Sequence, residues 1–75
     1  MRDRFKENDR IIGANIQRIA RKKGTNGSEI AVKCGLDYQE VSKWKRGVKR
    51  PKAGQIYAIA VALKVNINKL FEGCE

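Results

Sequence analysis

The residues with the greatest chemical potential lie in one short segment, GSEIAVKCGLDYQEVSKWKRG at positions 27–47. Its second half carries polar and basic side chains that suit phosphate oxygens and base edges: Tyr38, Gln39, Ser42, Lys43 and Arg46. Apolar residues recur at helical spacing through the same segment: Ile30, Cys34, Leu36, Val41 and Trp44. This pattern predicts two short helices with a shared apolar face and an outward polar surface.

Capping residues and a glycine mark the ends of these two helices. Asn26 precedes Glu29 by three residues and Asp37 precedes Glu40 by three, which is the spacing of a capping box. Gly35 can adopt the left-handed conformation that ends a helix without steric cost. We therefore predict a helix on each side of a turn at Gly35, with Glu40 in a capping role.

The charge of the chain points to a polyanionic partner. Seventeen basic and eight acidic residues give a net charge of +9 over 75 residues. Residues 54–75 hold two of each sign, so the excess lies in the first two thirds of the chain. A basic region beside a neutral remainder is typical of proteins that bind nucleic acid. Composition alone leaves open a basic surface that serves only solubility.

Catalysis and metal binding have little support in this sequence. It contains no histidine, and the hydroxyls of Ser28 and Ser42 have no plausible general base beside them. Cys34 and Cys74 form no disulfide framework, so we expect a reduced core residue and an exposed thiol, respectively. We expect no enzyme activity, cofactor, metal or small-molecule ligand. No apolar run has the length of a membrane span or signal sequence, which favours a cytoplasmic protein without membrane contact.

Three more helices are expected around the motif. Apolar residues repeat at helical spacing over 9–23 and over 54–63, and Asn66 can cap a short final helix. The first of these should begin at a cap from Asn8 or Asp9. The final helix should direct its apolar residues inward: Ile67, Leu70 and Phe71. The prediction is an all-α domain of five helices in which the motif supplies helices 2 and 3.

The ends of the chain are expected to lie outside this domain. Residues 1–8 are charged and lack an apolar stripe, which predicts a flexible basic arm. Its basic residues, Arg2, Arg4 and Lys6, could reach phosphates or a minor groove. Two acidic residues in the same segment lower its positive charge and favour an arm without specific contacts. The folded domain then spans 9–73, and 74–75 form a C-terminal tail.

The order of these segments resembles the lambda-repressor-like helix-turn-helix domains, also called the Cro/C1 or XRE type. The resemblance runs from about Ile12 to Gly73, through IIGANIQRIARKKG, SEIAVKCGLDYQEVSKWKRG, the KRP turn and IYAIAVALKVNINKLF. Ala31, Gly35 and Val41 fall at the spacing that defines the motif in this family. It implies a compact DNA-binding domain that regulates transcription, as a repressor of phage or bacterial type, with helix 3 in the major groove.

The resemblance also implies roles for individual residues. It places the base contacts at Tyr38, Gln39, Ser42 and Lys43. For Glu40 it offers a hydrogen bond from cytosine as the alternative to the favoured capping role. It places one group of phosphate contacts at the start of the first motif helix: Asn26, Gly27 and Ser28. It places a second group at the end of the second motif helix and in the loop after it: Arg46, Lys49, Arg50 and Lys52. The implied partner is a double-stranded, pseudo-palindromic DNA operator, bound by a homodimer that forms at least on DNA.

Three positions depart from the family pattern. Thr25 stands where Leu is common, and Gly27 stands where a Gln often contacts phosphate, so only the backbone amide is left there. Lys45 replaces a Glu that many members pair with an Arg of the first helix. The matching first-helix position is Ala20, so both partners of that pair are absent, which costs less than burying one alone.

Two alternative functions remain open at this point. An antitoxin-type autoregulator of a toxin–antitoxin pair shares the domain type, but nothing after Phe71 indicates a toxin-binding tail. The second alternative is a protein-interaction module that does not bind DNA, in which Trp44 would contact the partner. The helical spacing of Trp44 and Val41 instead favours a position for Trp44 in the core.

Overall fold

The computed structural model describes the backbone of residues 4–75 and the side chains of residues 6–75. It contains α1 (Arg4–Lys22), α2 (Gly27–Cys34), α3 (Tyr38–Lys45), α4 (Ala53–Leu63) and a closing 3-10 helix (Ile67–Phe71). Over this described part there is no strand, which confirms the all-α prediction. The described residues form four α-helices rather than five, because the last element closes with the tighter bond from Lys69 N–H to Asn66 O, at 2.9 Å.

Helix α1 begins earlier than the sequence pattern predicts. The expected start at Asn8 or Asp9 is wrong, because positions 4–8 of the proposed arm are already helical. Neither side chain is available as a cap. The Asn8 amide exchanges two hydrogen bonds with the backbone of Glu75, at 2.9 and 3.1 Å, and Asp9 pairs with Arg50 at 2.5 Å. Positions 1–3 of the proposed arm lie outside the described residues.

A single apolar core joins the helices. α1 packs against α3 and the 3-10 helix, α2 packs against α3 and α4, and α4 packs against the 3-10 helix. The largest fully buried side chains come from every helix: Trp44, Ile16, Ile30, Ile59, Leu70 and Val41. Phe71 is 36% exposed, so its predicted inward position is wrong. Residues three apart eclipse in a 3-10 helix, so Leu70 shares the inward side with Ile67 while Phe71 turns away.

The crossing of α1 and α3 depends on Gly13. This residue is buried, and a Cβ atom built on it would overlap the carbonyl oxygen of Trp44 and lie 2.9 Å from that of Lys45. The two helix backbones are therefore closer than any larger residue would allow. The sequence pattern did not single out Gly13, because a glycine inside a helical pattern does not reveal which backbone it approaches.

A buried polar side chain ties the 3-10 helix to α1. Asn15 is 8% exposed, and its Nδ2 donates to the carbonyl oxygens of Leu70 at 3.0 Å and Glu72 at 2.9 Å. These bonds satisfy a buried amide that would otherwise destabilise the fold. No expectation from the sequence covered Asn15, since its partners lie more than fifty positions away.

Both cysteines are free thiols that lie against the core. Cys34, whose Sγ is 3.4 Å from Ala58 O, confirms the predicted reduced core cysteine. Cys74 corrects the prediction of an exposed thiol, because it packs on the core with its Sγ 3.8 Å from Asn8 O. Burial raises the pKa of both thiols, and the negative charge of Asp9 raises that of Cys74 further. Both thiols are therefore mainly protonated at neutral pH.

Candidate nucleic-acid interface

The turn between α2 and α3 is built as the sequence predicts. Asn26 Oδ1 accepts a hydrogen bond from Glu29 N at 3.0 Å, and Asp37 Oδ1 accepts one from Gln39 N at 2.8 Å. Gly35 has a φ of 67°, and its N–H points back to the carbonyls of the last turn of α2. These local bonds fix where α2 ends and where α3 begins, and so they set the direction of α3.

The side chain of Glu40 lies away from the start of α3. Its carboxylate pairs with Lys49 Nζ at 3.1 Å, while the cap bond at the start of α3 is the one that Asp37 Oδ1 accepts from Gln39 N. The expected capping role of Glu40 is therefore wrong. The cause is tertiary: the loop after α3 folds back and brings Lys49 to this edge of the helix.

Helix α3 has a buried side and a solvent side that are clearly separated. Val41 and Trp44 are both 0% exposed and define the buried side. Because successive residues turn by about 100°, Gln39 and Arg46 lie on the opposite side of the helix, and both are exposed. We call this solvent side the recognition face and define it by these residues: Tyr38, Gln39, Ser42, Lys43 and Arg46. The structure thus brings together the four residues predicted to contact bases.

The recognition face carries uncompensated positive charge. In the part of the chain that the structure describes, Lys43 forms no ion pair, and the guanidinium of Arg46 donates only to the carbonyl oxygen of Ser42, at 3.4 Å. The acid on this helix, Glu40, is already paired at its edge. A negatively charged partner would meet little competition from protein carboxylates here.

The start of α2 adjoins the recognition face through Gly27. This residue is buried, and a Cβ built on it would lie 3.2 Å from Lys45 Nζ, 3.3 Å from Lys45 Cδ and 3.4 Å from Tyr38 Cε1. The Lys45 side chain therefore crosses the first turn of α2 and places its ammonium there. Gly27 and Lys45, the two residues that depart from the family pattern, therefore lie against each other. The absence of a side chain at position 27 leaves room for the side chain of Lys45. The sequence showed both departures but not that they meet.

The basic loop after α3 is partly neutralised by the protein itself. Lys49 pairs with Glu40, and Arg50 pairs with Asp9 of α1. These ion pairs hold the loop against α3 and α1, while Lys52 is exposed at the start of α4. The cations predicted to contact phosphate thus lie at the end of α3, in the loop after it and at the start of α4, and two of them already have protein partners.

Neither a metal site nor a membrane-spanning helix is found within residues 4–75. No group of three histidine, cysteine, aspartate or glutamate side chains there could hold a metal ion. No helix in that range is both long enough and apolar enough to cross a bilayer.

Comparisons with known proteins agree with this geometry. A family profile described as Helix-turn-helix matches residues 16–70. An uncharacterised HTH-type transcriptional regulator of Rickettsia conorii is 31% identical over 67 residues, which cover 89% of this chain and 54% of that protein. Another, from Sinorhizobium fredii, is 32% identical over 57 residues, covering 76% of this chain and 74% of that protein. The chain thus spans about half the length of the Rickettsia relatives it matches.

Two solved structures share the fold over most of the chain. The restriction-modification controller protein C.AhdI from Aeromonas hydrophila has a TM-score of 0.83 at 25% identity, covering 87% of this chain and 98% of that one. The hypothetical transcription factor NHTF from Neisseria has a TM-score of 0.82 at 27% identity, covering 95% of this chain and 80% of that one. The predicted resemblance is confirmed: the chain belongs to the non-enzymatic Cro/C1 (XRE-type) helix-turn-helix family of DNA-binding transcriptional regulators.

Proposed function

We propose that this protein represses transcription by binding a specific double-stranded DNA operator and reading its major groove with α3. The observation that carries the proposal is the recognition face, from which polar and basic side chains project into solvent. The opposite side of the same helix is buried in the core through Val41 and Trp44. A helix about 10–12 Å across fits the major groove, which is about 12 Å wide.

Four side chains of the recognition face are proposed to read bases. Gln39 can pair with the N6 and N7 atoms of adenine, and Lys43 can donate to O6 and N7 of guanine. Tyr38, which is 51% exposed, can contact a thymine methyl group or donate to a phosphate. Ser42 is half-buried between them and can contact an adjacent base with its short hydroxyl.

The start of α2 is proposed to hold one phosphate of the DNA backbone. Asn26 already uses its side chain to cap the helix, but Gly27 and Ser28 have first-turn N–H groups that no residue of the helix can accept. Lys45 adds a full positive charge beside them. We therefore add Lys45 to the phosphate contacts that the resemblance implies at Asn26, Gly27 and Ser28.

The end of α3 and the loop after it are proposed to hold the flanking phosphates. Arg46 and Lys52 are exposed cations there. Lys49 and Arg50 would share their charge between the phosphates and the carboxylates that they already bind. For that reason, each of these two should contribute less to DNA affinity than a cation without a protein partner.

A pair of copies would bind two half-sites of a pseudo-palindromic operator. Their recognition helices would enter successive major grooves, with centres about 34 Å apart. Binding would occur in the cytoplasm, where a bacterial or phage operator lies, and would need no cofactor.

The test begins with selection of bound duplexes from a random pool, followed by fluorescence anisotropy on the selected and scrambled sequences. We expect clear preference for the selected sequence. We also expect affinity to fall on the order of 10³-fold between about 50 and 200 mM salt, because several phosphates are contacted. Weak, equal and salt-insensitive binding to both duplexes would overturn the proposal.

A further inference from the structure

A groove runs between the second half of α1 and the 3-10 helix. Its volume is about 420 Å³, which lies within the range of small-molecule sites, roughly 300–1,000 Å³. Its apolar lining comes from Ile19, which is 5% exposed, and from Val65, which is half-buried. The remaining lining residues are all charged: Arg18, Lys22, Lys23, Lys69 and Glu72. Four cations and one carboxylate thus surround a small apolar surface.

The groove carries more positive charge than its own carboxylate balances. The Glu72 carboxylate lies 3.4 Å from Arg18 Nη2 and 3.7 Å from Lys69 Nζ, so its single charge is shared between two cations. Lys22 and Lys23 form no ion pair within the described residues. An anion in the groove would therefore meet two ammonium groups without a competing carboxylate, next to a guanidinium that Glu72 only partly neutralises.

The two sides of the groove are held at a fixed separation by Asn15. This residue of α1 is buried, and its Nδ2 donates to the main-chain carbonyl oxygen of Glu72 at 2.9 Å. Its Oδ1 lies 3.5 Å from Arg18 Nη2, so the same side chain also supports a cation of the groove. The backbone that presents these charges is already ordered. Preorganisation of this kind lowers the entropy cost of binding a ligand.

The groove lies on the side of α1 that faces away from α3. Helix α1 meets the backbone of α3 at Gly13. Because each residue turns the helix by about 100°, Arg18 lies about 140° and Lys22 about 180° around α1 from Gly13. Helix α1 therefore separates the groove from the recognition face. A ligand in the groove and DNA on the recognition face would use different residues.

We propose that this groove binds a small organic phosphate. Its phosphate group would lie among Arg18, Lys22 and Lys23, since guanidinium and ammonium groups donate charge-assisted hydrogen bonds to phosphate oxygens. Its organic body would cover Ile19 and Val65 and so remove apolar surface from water. The sequence led us to expect no small-molecule ligand, because the two sides of the groove, at Arg18 and Glu72, are 54 positions apart.

Glu72 would lower the affinity of the groove for this ligand. Its carboxylate already binds the Arg18 guanidinium that the phosphate would use, and it repels a second anion nearby. Neutralisation of Glu72 should therefore strengthen binding, whereas neutralisation of Lys22 should weaken it. The proposed site uses no residue of the recognition face, so it does not depend on the proposed function.

The first test is isothermal titration calorimetry in about 0.1 M salt with adenosine 5′-diphosphate (ADP) as the probe. We expect Lys22→Met to weaken ADP binding by about three- to tenfold and Glu72→Gln to strengthen it by a similar factor. Far-UV circular dichroism would confirm that both variants are folded. Absence of ADP binding to the wild-type chain would overturn the proposal.

Matched controls separate the groove from the net charge of the chain. Lys33→Met and Glu29→Gln make the same two changes of charge at exposed positions of α2, outside the groove. Each should change ADP affinity by less than about twofold, because charges beyond the Debye length of about 10 Å are largely screened. If each control changed the affinity as much as its groove counterpart, ADP would respond only to net charge, and the groove would not be its site.

Two further titrations test the organic body and the independence from DNA. Inorganic pyrophosphate carries at least as much negative charge as ADP, but it has no body to cover the apolar lining, so we expect it to bind more weakly. ADP should bind equally well with and without saturating operator duplex. Pyrophosphate binding as tight as that of ADP, or displacement of ADP by the duplex, would overturn the groove site. If the wild-type chain bound no DNA, the proposed function alone would fail, since calorimetry with ADP needs no DNA.

Discussion

The solvent sides of α3 and α4 carry opposite kinds of side chain, although both helices turn apolar residues into the same core. The solvent side of α3 holds Lys43 and Arg46, and neither residue forms an ion pair in the described part of the chain. On α4 it holds Tyr57 and Val61 and no charge. Inward residues thus decide where each helix lies, and outward residues decide what each helix can bind. Core variants should therefore damage both surfaces, and surface variants only one.

Trp44→Ala should have the largest effect and should damage both surfaces. The side chain is 0% exposed, so its removal should lower the free energy of unfolding by ~3–5 kcal/mol. That loss is enough to unfold a domain of this size. Chemical denaturation followed by circular dichroism measures it. Trp44→Phe is the control, because it keeps most of the packing and removes an Nε1 that has no hydrogen-bond partner within the described residues. A stable, folded Trp44→Ala variant would show that Trp44 does not support the core.

Gly13→Ala should also damage both surfaces, against the usual helix preference. Alanine is favoured over glycine inside helices by about 1 kcal/mol. Here its Cβ would collide with the Trp44 carbonyl, so we expect a net loss of about 1–3 kcal/mol in thermal or chemical unfolding. Gly54→Ala is the control, since its Cβ would enter open space and should not destabilise the monomer. Equal stability of the two variants would contradict the close crossing of α1 and α3.

Gln39→Ala should damage only the recognition face. We expect a loss of about 1–3 kcal/mol in operator affinity and relaxed preference at one base pair, because a pair of hydrogen bonds to adenine is removed. Unfolding free energy and self-association should not change. Anisotropy with duplexes altered one base pair at a time measures the preference. An unchanged consensus sequence would show that Gln39 does not read a base.

Lys45→Met should weaken binding to all DNA sequences alike. Removal of one phosphate contact should reduce the slope of log affinity against log salt by about 0.9. Arg50→Ala should also weaken all sequences but should lower the slope less, because Arg50 already pairs with Asp9. Lys69→Met, in the neutral C-terminal part, is the control for loss of one charge. If Lys45→Met and Lys69→Met gave the same slope, Lys45 would not be a phosphate contact.

Thr25→Val should have the smallest effect and should touch neither surface. In the described part of the chain, the Thr25 hydroxyl is buried without a hydrogen-bond partner. A valine of the same shape removes that unpaired group, so we expect stabilisation by about 1 kcal/mol with unchanged DNA binding. Thr25→Ser, which keeps the hydroxyl, should not be stabilised. Destabilisation by Thr25→Val in thermal unfolding would indicate that the hydroxyl does have a partner.

Local patterns predicted much of the fold. Helix caps at Asn26 and Asp37 and the left-handed turn at Gly35 depend on neighbours within a few positions, and the structure confirms each. The start of α1 was not predictable in this way. Asn8 and Asp9 resemble caps locally, but they bind partners 67 and 41 positions away in the sequence.

The sequence by itself determined which side chains share the recognition face, because helical periodicity alone separates Gln39 and Lys43 from Trp44. It also determined the uncharged composition of α4. Only the tertiary structure decided which helices approach closely enough for Lys45 to cross Gly27 and for Glu40 to pair with Lys49. Such contacts depend on the distances and angles between helices, which the packing of the whole core sets and which no local pattern encodes.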